Sequence, residues 1–491
     1  MNGRLLLLLD LVLLIILLCD SVFIIIVVFF ERKNPSATLA WILALLFLPV
    51  VGFVLYLFLG QTYSKEKMFQ VKKEADQRLQ AVIRLQERAL RCEDTFAQDG
   101  DWVSASLRQM VLLLLANSGA VLTLNNRVEV FTDGKEKFAS LLEDIRAATR
   151  FVHLEYYIWK DDGIGNEMRA ALTERARAGV EVRLLCDGLG CAGLPPHFFD
   201  EFRSAGGKVA FFFPSYLRYL NLRYNYRNHR KIAVIDGTTG YIGGFNIGDD
   251  YLGLDPVWGY WRDAAVRIRG SAVLAAEIRF FLDWNYAAPG DRLEYSPRDL
   301  PEIAPGPGPG VPIQVVSGGP DTGFNPVKES YLKMIGIATE SVYLQTPYFV
   351  PDESVLDALR IAALSGIDVR IMMPDRPDHP FVYWAGMWYI RQLLDSGVKA
   401  YTYDNGFIHA KTIVVDEAIA SVGSANWDVR SFGLNFETNA VMYDPTVARE
   451  LKDAFLRDLE VCSPITIERL DALPWGKRVR QSIARLLSPI L

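Results

Sequence analysis

The chain has 491 residues, 51% of them hydrophobic and 22% charged, with a net charge of -6. That apolar content excludes a disordered chain, and the length suggests about three domains at roughly 150 residues each. The acidic balance argues against a protein whose main task is to hold a nucleic acid backbone, though not against a local basic site for one phosphate.

In chain order, two apolar runs come first. Leu5–Phe30 is interrupted only by Asp10, Cys19, Asp20 and Ser21, and Ala37–Leu59 only by Pro49 and Gly52. Each is long enough to cross a bilayer core of roughly 30 Å at about 1.5 Å per residue. The polar link Glu31–Ser36 contains Pro35, suited to start a helix. The first run is too long for a signal peptide and has no Ala-x-Ala exit. The expectation is therefore a two-helix transmembrane hairpin over residues 1–60. Arg4, Lys65, Lys67, Lys72, Lys73 and Arg78 flank the hairpin, against Arg32 and Lys33 in its turn. This charge bias predicts cytoplasmic termini and a multi-pass membrane protein. Asp20 is costly at mid-membrane, by about 2.5–3.5 kcal/mol. Three readings stay open for it: a protonated group, a partner on a neighbouring chain in a homo-oligomer, or a shallower position.

Residues 61–115 read as a charged helical connector, with Leu79, Val82, Ile83, Leu85 and Leu90 near helical spacing. Two similar stretches follow. Arg150–Ile158 reads as a strand, then a helix to Gly179, then the strand Val180–Cys186. Ser341–Phe349, Leu356–Gly366 and Ile367–Met373 repeat that order. The pattern predicts βαβ units, an α/β fold and a mostly parallel sheet in each half. The Pro-Gly run 305–310 marks the linker. Domains are thus expected at 116–304 and 305–470, with a basic amphipathic helix at 471–491. In that helix Val479, Ile483, Leu486 and Leu487 share one face and cations the other. It suits either an anionic lipid surface or a cap on the second domain.

The chemistry recurs at the same place in each half. His229, Lys231, Asp236, Gly243, Gly244 and Asn246 are matched by His409, Lys411, Asp416, Gly423, Ser424 and Asn426. The chain has only five histidines, and two of them hold equivalent positions with the same neighbours. Residues two apart on a strand share a face, so each His projects with its Lys. Two lysines with Asn246, Asn426 and Ser424 suit the oxygens of one phosphodiester. Two histidines near a pKa of about 6.5 suit one nucleophile and one proton carrier. Asp263, before the strand Ala264–Ile268, and Glu437, before Thr438–Tyr443, are the candidate orienters of the histidines. Five scattered cysteines and no Cys/His spacing predict neither disulfide framework nor metal, and no cofactor is expected. Phe211–Phe213 and Trp384, Trp388 and Tyr389 are either core or the lining of an acyl groove.

The doubled H-x-K-x4-D motif resembles the phospholipase D superfamily. The whole chain is similar to the bacterial cardiolipin synthases within it. The closer likeness lies in Asn34–Pro35, Ala40–Leu43, Tyr224–Lys231 and Gln345–Pro351. The resemblance implies tandem duplicated phospholipase D-like domains, each a mixed sheet flanked by helices, in a protein of the bacterial inner membrane. It implies transfer of a phosphatidyl group, through a phosphohistidine, from one phosphatidylglycerol to another, giving cardiolipin and glycerol. It also implies His229 as nucleophile, His409 as acid and base, Asp236 and Asp416 as members of the catalytic motifs, and anionic membrane lipid as partner. Hydrolysis to phosphatidic acid, a tethered phosphodiesterase or nuclease, and a lipid-binding scaffold remain as alternatives.

Overall fold

The computed structural model describes residues 35–48, 105–213, 225–294 and 310–488 continuously, with isolated positions elsewhere. It divides into two units, one holding residues 1–73 with 215–226 and the other nearly all the rest. In the first unit the helix Pro35–Phe47 exposes Leu39, Leu43, Leu46 and Phe47. Leu45 and Tyr56 are buried there, with Ile24 and Trp41 packed against them. No helix among the described residues is long and apolar enough to cross a membrane. Most of the run 5–30, including Asp20, and most of the connector lie outside the described residues, as does most of the Pro-Gly linker.

The second unit is built on one long mixed sheet. Its first half contributes β1 (Thr123–Phe131), β2 (Phe151–Tyr156), β3 (Glu181–Asp187) and β4 (Lys208–Phe212). Then come β5 (Arg227–Asn228), β6 (Lys231–Ile235), β7 (Thr239–Gly243), β8 (Trp261–Arg262) and β9 (Ala265–Arg269). The second half contributes β10 (Val311–Gly318), β11 (Ser341–Gln345), β12 (Phe349–Val350), β13 (Asp368–Pro374) and β14 (Lys399–Tyr403). It continues with β15 (Phe407–Ile408), β16 (Thr412–Val415), β17 (Ile419–Gly423), β18 (Trp427–Asp428), β19 (Asn435–Met442) and β20 (Cys462–Ile465). The strand order is β20-β14-β13-β11-β16-β17-β19-β10-β1-β9-β7-β6-β2-β3-β4. Outward from the β10–β1 join, β19-β17-β16-β11-β13-β14 mirrors β9-β7-β6-β2-β3-β4, so the repeat in sequence is a repeat in space.

The expectation of a mostly parallel sheet needs correction. Only β2-β3-β4 and β11-β13-β14 run parallel as extended neighbours. The motif strands β6 and β16 join through short turns to β7 and β17 and run antiparallel to them. A tight turn forces antiparallel pairing, whereas a parallel neighbour needs a long crossover. β6, β7, β16 and β17 are buried along their whole length, because elements cover both sheet faces. The helix Ala105–Ser118 buries Met110, Val111, Leu114 and Leu115 among the side chains of the second half. Ile83, from the segment read as a connector, joins the same core.

Candidate active site

Two short parallel pairings cross between the halves. β5 pairs with the start of β19, with Asn228 opposite Phe436. β15 pairs with β8, with Ile408 opposite Arg262. The next residue on each of the four segments is His229, Glu437, His409 or Asp263. The crossing therefore hands each histidine the carboxylate of the other half.

His229 donates its backbone N–H to the Phe436 carbonyl at 3.0 Å. Its Nδ1 lies 3.0 Å from both Oε1 and Oε2 of Glu437. His409 donates its backbone N–H to the Arg262 carbonyl at 2.7 Å. Its Nδ1 lies 2.6 Å from Asp263 Oδ2. A carboxylate at Nδ1 fixes the tautomer with hydrogen on that atom and leaves the Nε2 lone pair for chemistry. Lys231 Nζ donates to the His229 carbonyl at 2.6 Å. Lys411 Nζ donates to the His409 carbonyl and also sits 2.7 Å from His409 Nδ1.

The electrostatics describe one shared site. Burial pushes His229 down to about 4, against the pull of Glu437, and both Lys231 and Lys411 add to the depression. Burial and Lys411 push His409 down to about 3, against Asp263, with a contribution from Lys231. Each histidine thus feels the lysine of the opposite half. Both rings are thus held well below the ordinary value of about 6.5 expected of them. Burial raises Glu437 and Asp263, but the adjacent histidines and lysines outweigh it and hold both carboxylates below their ordinary range. Burial lowers Lys411 to about 8 and takes Lys231 well below its usual value. A bound phosphodiester anion reverses the direction for every cation in the site, because opposite charge favours the protonated form. Among the described residues, no group of three or more His, Cys, Asp or Glu side chains is placed to hold a metal ion.

The other expected residues divide. Asn246 lies buried in the site wall. Its Oδ1 accepts from the Ile158 N–H at 3.2 Å and its Nδ2 donates to Tyr251 Oη at 2.6 Å. Tyr251 in turn packs 6.0 Å from the His409 ring. Asn426 is buried, and its Oδ1 has no hydrogen-bond partner among the described residues. Ser424, expected on the phosphate, is instead committed to Glu437. Its Oγ donates to Oε2 at 2.5 Å and accepts from the Thr438 N–H at 3.0 Å.

Asp236 and Asp416 require a larger correction. Asp236 accepts from the backbone N–H groups of Thr149, Arg150 and Phe151 at 2.8–3.0 Å. Asp416 does the same for Thr339, Glu340 and Ser341 at 2.6–2.8 Å. Both stand at φ 52°, just past the end of the motif strand opposite the histidine. Their carboxylates lock the turn that leads into β2 and β11, and they are spent there rather than on the reacting groups. Asp recurs in both motifs because it tolerates the left-handed backbone and caps several donors at once.

Phe212 and Phe213 pack on Tyr286 and Phe436 within the fold, beneath the strand that delivers Glu437. Trp384 and Trp388 lie under Arg480 and Arg485 of the C-terminal helix.

Sequence reasoning missed several supporting residues. Tyr157 meets the His229 ring edge-on at 4.9 Å and lies 5.2 Å from Lys231 Nζ. Trp261 packs 5.4 Å from the His409 ring. Arg230, fully buried, pairs with Asp283 and reaches the Glu437 carbonyl and Thr438 Oγ1 across the halves. Asp187 holds the Asn228 N–H at 3.0 Å, one residue before His229. Arg230 carried a signal, as a charged residue between His and Lys on a strand otherwise apolar. Tyr157, Trp261 and Asp187 carried none, since their roles depend on distant segments meeting.

Fold and site together define a duplicated α/β enzyme whose two halves share one centre suited to covalent phosphoryl chemistry. Comparison with known proteins narrows this. The family described as "Cardiolipin synthase, PLD-like domain" matches residues 141–267 and again 331–459. A family described as "Phospholipase_D-nuclease N-terminal" matches residues 21–61. The major cardiolipin synthase of Bacillus subtilis (strain 168) is 50% identical over 463 residues, 94% of this chain and 95% of that one. A cardiolipin synthase of Staphylococcus aureus (strain Mu50) is 46% identical over 94% of this chain and 93% of its own. The crystal structure of a phosphatidylserine synthase from Haemophilus influenzae Rd KW20 superposes with a TM-score of 0.58 at 16% identity. It covers 74% of this chain and 95% of that one, and shows a shared fold. The chain belongs to the cardiolipin synthases, phosphatidyltransferases of the phospholipase D superfamily.

Proposed function

We propose that the chain makes cardiolipin from two molecules of phosphatidylglycerol through a phosphatidyl-histidine on His229. The observation that carries this reading is the crossed pairing of His229 with Glu437 and His409 with Asp263. Two histidines with Nδ1 held leave two Nε2 atoms for one substrate. Nε2 of His229 attacks phosphorus, the bond to the glycerol headgroup breaks, and His409 gives that oxygen its proton. A hydroxyl of a second phosphatidylglycerol then loses its proton to His409 and attacks the phosphatidyl-histidine, freeing His229. The bound phosphodiester supplies the negative charge that lets His409 hold the proton it donates. Lys231 and Lys411 neutralise the phosphate oxygens, with Asn246 and Asn426 in the wall beside them. On this reading activity survives EDTA, and complete loss restored by one added divalent ion would refute it.

Purified protein given only phosphatidylglycerol tests the acceptor. Cardiolipin and glycerol are the expected products, and phosphatidic acid alone would mean that water is the acceptor. A rapid denaturing quench of the His409→Ala protein at neutral pH should trap lipid on His229, because the P–N bond is lost in acid. Lipid found on His409 of the His229→Ala protein would exchange the two roles.

The N-terminal segment is assigned to the membrane on the same reading. Its two apolar runs, and the Leu39, Leu43, Leu46 and Phe47 side chains exposed on one helix, support a hairpin in the bilayer. Charge bias puts the catalytic unit on the cytoplasmic side of the inner membrane. A C-terminal reporter found on the periplasmic side would overturn that orientation.

A further inference from the structure

The helix Trp475–Leu486 is packed the wrong way round for a cap on the second lobe. An amphipathic helix on a globular protein turns its apolar stripe toward the core. Here the one buried side chain is Ala484. It sits with Val350 and Ala385, against Val382, Trp384 and Tyr389. The remaining attachment is cationic. The Arg480 guanidinium lies 5.5 Å from the Trp384 ring, and that of Arg485 lies 4.2 Å from the Trp388 ring.

The apolar stripe points away from this seam. Trp475, Val479, Ile483 and Leu486 follow a spacing of four, four and three, so they share one face. Trp475 is 75% exposed, Ile483 52% and Leu486 69%. Phe381, at the start of the supporting helix Pro380–Leu394, is exposed as well. The helix carries Lys477, Arg478, Arg480 and Arg485 and no acidic residue, in a chain whose net charge is -6. Lys477 and Arg478 form no ion pair among the described residues. The stripe is thus an outward apolar face with the unpaired Arg478 at its edge and Lys477 free on the far side of the helix.

We propose that this face docks into the headgroup region of an anionic lipid bilayer, with Trp475, Val479, Ile483 and Leu486 at the acyl boundary. The cations complement anionic headgroups, and a Trp at the end of the stripe suits the interface between apolar and wet layers. A second copy is the poorer occupant, because stripe-to-stripe contact brings the unpaired Arg478 of each copy toward the other and adds no acidic residue, the helix having none. The docking rests on the lipid-transfer reading above and extends it. It gives the second lobe its own hold on the membrane, separate from the N-terminal segment.

The test uses the full chain in phosphatidylcholine vesicles with or without phosphatidylserine, an anionic lipid chosen so that turnover does not change the surface. Leu486→Cys and, on the opposite side of the helix, Lys477→Cys are labelled with an environment-sensitive fluorophore. The unsubstituted chain, with its five cysteines, is the labelling blank. In phosphatidylserine vesicles the label at 486 should be quenched several-fold more than that at 477 by acyl-chain nitroxide lipid. The difference should shrink in high salt. Equal quenching, or none, overturns the proposal. A shift that needs no lipid and grows with protein concentration also overturns it, in favour of a second copy.

A second arm reads function. Replacing Trp475, Ile483 and Leu486 together by Ser should raise the KM for phosphatidylglycerol in bilayers about tenfold, while turnover of short-chain monomeric phosphatidylglycerol stays the same. Unchanged kinetics on both substrates would sink the docking. If the unsubstituted chain makes no cardiolipin from either substrate, the reading of function fails, and the quenching result still decides the docking.

Discussion

The two halves hold their carboxylates to the same task by different means. Glu437 is a long side chain, and Ser424 Oγ and Asn435 Nδ2 steady it from 2.5 and 3.3 Å. Asp263 is one methylene shorter and comes so close that the position matching Ser424 can hold no side chain. A Cβ on Gly244 would lie 2.0 Å from Asp263 Oδ1. Asp263 is steadied instead by the backbone N–H of Ala264 at 2.7 Å. Glycine against serine, the one visible break in the doubled motif, is therefore coupled to aspartate against glutamate about 13–19 residues later. A pseudo-symmetric site needs equal placement of the reacting atoms, and the supporting side chains differ wherever backbone approach differs.

The strongest way to break the comparison is to remove one histidine. His229→Gln or His409→Gln should each lower cardiolipin formation by about 10³-fold, since each step needs both groups. Half the activity left in either variant would mean two independent sites.

Forcing the halves to look alike comes next. Gly244→Ser should cost about 10²-fold in kcat, because its Cβ displaces Asp263 from His409. Ser424→Gly should cost only about tenfold, the worth of one hydrogen bond to a charged group. Equal losses in the two variants would contradict the packing account. A crystal structure of Gly244→Ser with Asp263 unmoved would do the same.

The geometry that Asp236 and Asp416 repeat in the two halves should appear in stability rather than chemistry. Asp236→Asn and Asp416→Asn should each lower stability by about 1–2 kcal/mol, seen as a lower Tm. The kcat per folded molecule should stay unchanged, and a large fall in kcat with Tm intact would restore the catalytic reading.

The smallest expected effect is in the pH dependence of stability. His229 and His409, held near 4 and 3 in the folded chain, take up protons below about 6.5 when unfolded. The unfolded state then binds more protons than the folded one. Stability from these groups is therefore full above about 6.5 and falls as the pH drops toward 4. Glu437 and Asp263, held below their ordinary values, push the same way at lower pH. Tm measured from pH 7.5 to 5 should fall, and less steeply in His229→Gln and His409→Gln. A flat profile would mean that the rings take up protons in the folded state over the same range as in the unfolded one.

Some of this was legible in the linear chain, and the reasons are local. The apolar and β-branched periodicity around residues 150–186 and 341–373 marked the βαβ units, because side-chain period reports which faces are buried. Two copies of His, Lys and Asn at one spacing marked the chemistry, because side chains two apart on a strand meet the same substrate. Asp263 and Glu437 could be picked as carboxylates near the centre. Their crossing could not, because it arises where β5 meets β19 and β15 meets β8, more than 140 residues apart in sequence.

The same limit explains the errors. Asp236 looked catalytic because it repeats with the histidine, and only its contacts with residues 149–151 show it locking a turn. The histidine pKa depends on burial that no single strand determines. The amphipathic pattern of residues 475–486 was plain from spacing alone. Which face it turns outward was settled only by Ala484 and two arginines docking on the helix Pro380–Leu394. Composition and spacing determined which residue types share a face. The pairing of distant segments decided which faces meet, because those contacts depend on chain crossings and not on local periodicity.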